Sequence, residues 1–160
     1  MTDRMLVATR KGLLTLRRNG GWSVSAADFP GIAVTAALRD VRDGAIYAVL
    51  KHGHFGTKLH RSDDDGKSWK ELPAPVFPAD APGEPSLFQV WTLEAGGADQ
   101  SGRLWAGAIP AGLFVSDDRG RLRKHVCVFV NGARLKNADA LGRSIGPQAK
   151  LHVMQALSGG

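Results

Sequence analysis

Nine consecutive residues, Arg61-Ser62-Asp63-Asp64-Asp65-Gly66-Lys67-Ser68-Trp69, constrain the fold of this chain more than any other stretch. They read Ser-x-Asp-x-Gly-x-Ser-Trp between two strand-like runs. A short acidic side chain can bond backbone groups two residues on and so close a turn. Gly66 supplies the positive φ that such a turn needs. Trp69 opens the outgoing strand, where its large apolar face can fold back over the turn. A chain built round this unit is expected to be made of antiparallel hairpins.

The unit starts a second time. Leu113-Phe114-Val115-Ser116-Asp117-Asp118-Arg119-Gly120 repeats the strand and the turn, but Leu122-Arg123 stand where Ser/Thr-Trp should follow. The repeat fails there, and that failure marks a seam in the chain.

Between and before these turns, residues 1–118 alternate short apolar runs with turn residues, the pattern of all-β repeats. The runs are Leu6 to Thr9, Leu13 to Leu16, Trp22 to Ser25, Ile32 to Leu38, Ala45 to Leu50, Lys58 to His60, Phe88 to Leu93 and Arg103 to Gly107. Asn19-Gly20-Gly21 and Asp43-Gly44 are hairpin signals. Ala74 to Pro85 is proline-rich and reads as a loop. No segment carries sustained helical periodicity.

On these residues the N-terminal part resembles the Asp-box, or BNR-repeat, proteins of the sialidase-like β-propellers. Ser62, Asp64, Gly66, Ser68 and Trp69 occupy the box positions, and the resemblance covers most of residues 5–118. It implies propeller blades in which the box is a structural turn on the rim. Closed propellers need four to eight blades, so residues 1–118 are expected to supply about two blades and part of a third. Open sheet edges would then favour self-association. Sialidases also share an arginine trio, a Tyr–Glu nucleophile pair and an Asp acid/base. Here the single tyrosine, Tyr47, lies in the apolar run Ala45 to Val49 and no Arg-Ile-Pro motif occurs. Tyr47 is therefore read as core, and no glycosidase activity is expected.

Beyond the seam, Arg121 to Val130 is one long β-rich run, Asn131-Gly132 turns it, and Lys150 to Leu157 is a last strand. Val128-Phe129-Val130-Asn131-Gly132 and the ending Ala156-Leu157-Ser158-Gly159-Gly160 resemble the MoaD/ThiS sulfur carriers of the ubiquitin-like β-grasp fold. The resemblance covers residues 119–160, without that family's first hairpin and helix. It implies that the Gly159–Gly160 carboxylate would be adenylated by an E1-like enzyme and converted to a thiocarboxylate for a sulfur acceptor. The partner enzyme would use the ATP and Mg²⁺; no cofactor is expected on the chain itself. Glycine suits this task because a side chain would block a narrow activation channel.

Charge follows the same seam. Residues 1–118 hold 13 Lys and Arg against 14 Asp and Glu, whereas residues 119–160 hold 8 against Asp139 alone. A basic segment can meet nucleic acid or an acidic partner, but these cations are scattered through apolar runs with only Phe129 as a stacking residue, which disfavours nucleic acid. For the pair His52 and His54, with His60, no Cys or third close ligand completes a tetrahedral metal set, and they read as loop histidines beside Gly53 and Gly56. Cys127, the only cysteine, reads as a buried inert thiol, and Trp22, Trp69, Trp91 and Trp105 read as core. The N-terminus has no signal-peptide core and no run reaches membrane-span length, so the expected location is cytoplasmic.

The sequence thus predicts a mainly β chain: an incomplete Asp-box propeller portion, 1–118, joined to the C-terminal half of a β-grasp, 119–160. The expected function is a sulfur carrier acting as substrate rather than enzyme. The alternatives are a non-catalytic propeller-type binding module and an inactive gene-fusion product.

Overall fold

The computed structural model describes residues 3–75, 87–109, 112–116 and 118, and the backbone of three further strands. The proline-rich stretch lies almost wholly outside the described residues, as do Asn131, Gly132, Gly159 and Gly160 and the side chain of Cys127.

The protein is mainly β, and the described residues form three antiparallel sheets that follow one another along the chain. The first is a meander of β1 (Arg4–Thr9), β2 (Gly12–Asn19) and β3 (Gly21–Asp28). The second runs β4 (Ala33–Arg39), β5 (Ile46–Lys51), β6 (Thr57–Ser62) and β7 (Lys70–Leu72), with a 3-10 turn at Gly53–Phe55. The third begins with β8 (Gln89–Ala95), β9 (Leu104–Ile109) and β10 (Gly112–Ser116). It continues into β11 (Arg123–Val130), which pairs with β10, β12 (Ala133–Arg134) and β13 (Leu151–Gln155).

The sheets stack face to face, and the second is the middle layer. β5 explains why. Its run Ile46-Tyr47-Ala48-Val49-Leu50 is buried throughout. Alternate side chains of a strand point to opposite faces, so Tyr47 and Val49 join one apolar cluster while Ala48 and Leu50 join the other. The first cluster takes Leu93, Leu104, Ala106 and Phe114 from the third sheet; the second takes Leu13 and Leu6 from the first. β4 lies against both β1 and β8, so the first strands of the three sheets are neighbours.

β-bulges adjust the alternation. In β4 the register shifts at Thr35, so Val34 serves one cluster and Ala36 the other. In β8 it shifts at Trp91, which leaves Val90 and Leu93 both facing the core. A bulge adds one unpaired residue and so resets which face the following side chains use. Thr92 then sits directly over β9 at Gly107. A Cβ there would lie 2.7 Å from Thr92 Oγ1, so any side chain would force Thr92 to shift.

Two of the four tryptophans depart from the core reading. Trp69 and Trp105 are half-buried, but Trp22 is 44% and Trp91 58% exposed. Trp22 stands on β3, an edge strand exposed along nearly its whole length, and Trp91 is the extra residue of a bulge.

Candidate functional site

The box turn joins β6 to β7, the third and fourth strands of the second sheet. Ser62 Oγ accepts from the Gly66 N–H at 2.8 Å and donates to Asp64 Oδ1 at 2.8 Å. Asp64 in turn accepts from the Ser68 N–H at 2.8 Å and from Ser68 Oγ at 2.6 Å. These bonds to its charged form hold the Asp64 carboxyl down at about pKa 2. Asp65 at φ 64° and Gly66 at φ 90° make the reversal.

Outside the turn, Asp65 pairs with Arg4 and with Arg17, the latter at 2.9 Å, and so ties the box to the first sheet. Trp69 does the same. Its Nε1–H donates to Asp28 Oδ1 at 3.1 Å, and its ring lies 4.9 Å from Phe29. The tryptophan therefore reaches across to the neighbouring sheet. Ser62, Asp64, Gly66 and Ser68 hydrogen-bond to one another, an arrangement that holds the turn.

The second turn starts in the same way after β10, the third strand of its sheet. Ser116 Oγ donates to Asp118 Oδ1 at 2.6 Å and accepts from the Asp118 N–H at 3.2 Å. The Ser-x-Asp pairing of the first box is thus repeated, although the sequence diverges two residues later.

A cleft of about 330 Å³ opens where the first sheet hands over to the second. Phe29 and Ile32, from the β3–β4 connection, form one wall with Leu50. Phe55 of the 3-10 turn stands at the mouth, 73% exposed, with its ring 5.2 Å from His52. His60 lies edge-on to Phe29, with ring centroids 5.1 Å apart. Burial lowers its pKa, against the opposing pull of Glu71, and so favours the neutral imidazole. Lys58 Nζ bonds Glu71 Oε1 at 2.6 Å, which holds the Glu71 carboxyl below its usual range. An apolar hollow with a few polar groups round it is the usual form of a binding site.

The histidines are thus placed differently from one another. His52 precedes the 3-10 turn and His54 lies within it, whereas His60 is in β6, within the run Lys58 to His60 and not in a loop. Among the described residues, no three His, Cys, Asp or Glu side chains come together as a metal set. Tyr47 is fully buried, as its apolar run implied, and its hydroxyl meets Arg61, which also bonds Asp43 and Asp63. Burial raises the Tyr47 pKa to about 12.

Sequence reading missed Phe29, Phe55 and Glu71 as partners in one site. The cue at Phe29-Pro30-Gly31 was a tight turn, and Phe29 does adopt a positive φ of 54°. It also missed Asp40, a 2% exposed carboxylate beside the β4–β5 turn. Arg42 grips it through Nε at 2.8 Å and Nη2 at 2.6 Å, and reaches the backbone carbonyls of Gln100 and Arg103.

None of the described residues forms a helix long and apolar enough to cross a membrane. No protein-family model matches the chain. No curated protein sequence matches it either. Among solved structures, the β-propeller described as YCF48 bound to D1 peptide is similar over 76% of this chain, at 15% identity and a TM-score of 0.50. The match spans 36% of that protein's chain, so this chain corresponds to about a third of its neighbour. Stacked antiparallel meanders, with their first strands adjacent and a box turn after the third strand, together with this likeness, give the chain a propeller-like fold.

Proposed function

We propose that this protein is a non-catalytic, propeller-type binding module that holds a peptide segment in the cleft between its first and second sheets. The observation that carries this reading is the cleft wall of Phe29, Ile32, Leu50 and the exposed Phe55, beside the histidines and the Lys58–Glu71 pair. Such a wall takes an apolar or aromatic side chain, while the polar rim can bond the peptide backbone on either side. A structural neighbour bound to a peptide is consistent with that choice of ligand. The test is an NMR titration with N-acetyl-phenylalanine amide and N-acetyl-leucine amide, with N-acetyl-glutamate amide as the polar control. Shifts should gather at residues 29–32, 50–60 and 71 for the apolar probes only. Phe55→Ala should weaken binding about tenfold, the scale of one lost aromatic contact. Scattered shifts, or equal response to the glutamate probe, would overturn the reading.

A second reading rests on the Gly159–Gly160 pair and the Val128 to Gly132 run. It makes the protein a sulfur carrier activated by an E1-like adenylating enzyme, with ATP and Mg²⁺ supplied there. ATP–pyrophosphate exchange with candidate activating enzymes tests it: removal of Gly159 and Gly160 should abolish exchange. If neither peptide binding nor exchange is found, the inactive gene-fusion reading stands.

A further inference from the structure

The polar side chains of the cleft stand on one face of the second sheet. Ala48, His60 and Glu71 lie opposite one another across β5, β6 and β7, with Leu50 and Lys58 in the next row. Ala48 and Leu50 belong to the apolar cluster shared with the first sheet, and Leu50, Lys58, His60 and Glu71 all line the cleft. The hydrogen bonds of this row are incomplete. Lys58 Nζ takes Glu71 Oε1 at 2.6 Å, and Glu71 Oε2 is turned towards His60. His60 Nε2 stands 3.9 Å from that oxygen, beyond hydrogen-bond reach. Nδ1 is buried and has no partner, which leaves Nε2 as the nitrogen a ligand can meet.

Burial favours the neutral ring, which holds a single N–H. The carboxylate favours that proton on Nε2, the nitrogen that faces it. A donor and a charged acceptor thus flank a gap that one oxygen would span. The atom that fits must accept from Nε2–H and donate to Oε2. A hydroxyl does both, whereas an indole N–H only donates. Round the gap the lining is apolar and aromatic, with the Phe29 ring 5.1 Å from His60 and Phe55 at the mouth. We propose that the anchor of the bound peptide is a tyrosine, its ring on the apolar wall and its phenol oxygen between His60 Nε2 and Glu71 Oε2. This inference rests on the peptide-binding reading of the cleft and narrows it to one side chain. Phenylalanine reaches the same wall but leaves the gap unfilled. A site that bonds a hydroxyl rejects the analogue without one, because its polar groups then stay desolvated and unpaired.

NMR titration of the full chain at neutral pH should give N-acetyl-tyrosine amide an advantage of about tenfold over N-acetyl-phenylalanine amide, the scale of one hydrogen bond to a charged group. Two variants locate the cause. His60→Phe keeps a ring beside Phe29 and removes both nitrogens. Glu71→Ala removes the acceptor from a half-exposed position, where the fold tolerates the change. In each variant the tyrosine probe should fall to the level of the phenylalanine probe, while the phenylalanine probe binds as it does to the parent chain. Equal affinity for the two probes in the parent would overturn the tyrosine inference and leave the peptide reading standing. A tyrosine preference that survives in either variant would do the same. If neither probe binds the parent, the peptide reading falls and this inference falls with it.

Discussion

The two junctions of the middle sheet are built differently. Towards the third sheet, the joint combines a large apolar cluster with a buried ion pair, Asp40–Arg42, whose guanidinium also caps carbonyls at Gln100 and Arg103. Towards the first sheet, the apolar cluster is smaller. Its polar links are Asp65 with Arg4 and Arg17, where Asp65 and Arg17 are largely solvated, and the half-buried Trp69–Asp28 bond. A charge pair out of water is costly to break from one side only, because the remaining charge is stranded. A solvated pair is worth little. The comparison therefore predicts one rigid joint and one adaptable joint, and the cleft lies at the adaptable one.

Removing the buried cation should give the largest effect. Arg42→Ala leaves the Asp40 carboxylate without its main partner and should cost about 3 kcal/mol, the low end of the range for a broken buried pair. Urea unfolding measures it. The joint Asp40→Asn, Arg42→Met change should cost clearly less, since no stranded charge remains; an equal cost would show that packing, and not charge, holds this joint.

Next comes Trp69→Ala. Trp69 is partly buried against the smaller apolar cluster, so a loss of about 2–3 kcal/mol is expected, below the full value for a fully buried aromatic. Hydrogen exchange should quicken in β1, β2 and β3 before it does in β8, β9 and β10. Equal loss of protection in all three sheets would remove the distinction between the joints.

Acid should separate the joints by pH. His60, on the first-sheet side, has its pKa lowered by burial. The unfolded chain therefore takes up the proton first, and this stability is complete above pH 6.5 and lost as pH falls through the folded value. Asp40 has its pKa lowered by its bond to Arg42. Its contribution is complete above pH 3.8 and is lost only as pH falls through a still lower folded value. Between pH 7 and pH 5, then, the urea midpoint should fall in the parent chain and stay level in His60→Gln.

The smallest effect is expected at the solvated pair. Arg17→Ala should change stability by less than about 1 kcal/mol, and added salt should erase the difference. A large, salt-resistant loss would mean that the first joint is as rigid as the second.

Much of this architecture is legible in the sequence. The apolar runs form strands close to where they are read, because alternation and Gly, Asn or Asp turns act within a few residues. The continuous run Ala45 to Leu50 marks a strand buried on both faces. The Ser62–Asp64 bond and its repeat at Ser116–Asp118 follow from residues two apart. Less is legible at the bulges. Thr35 and Trp91 look like ordinary alternating positions, and only the paired strand shows that one residue is extra. Trp22 and Trp91 escape the core reading for a related reason: a tryptophan in a strand says nothing of which face that strand offers to a neighbour.

The sequence by itself determined the local grammar: mainly β structure, short meanders, and a self-satisfied box turn closed by bonds spanning at most four residues. Tertiary structure alone decided which faces meet. It sent Arg42 to carbonyls some sixty positions away, Trp69 to Asp28, and Asp65 to Arg4 and Arg17. It also gathered a cleft from residues between Phe29 and Glu71. The physical reason is range. A turn is closed by neighbours along the chain, whatever lies elsewhere. A joint between sheets depends on side chains that become neighbours only after each sheet has formed, twisted and chosen the face it buries.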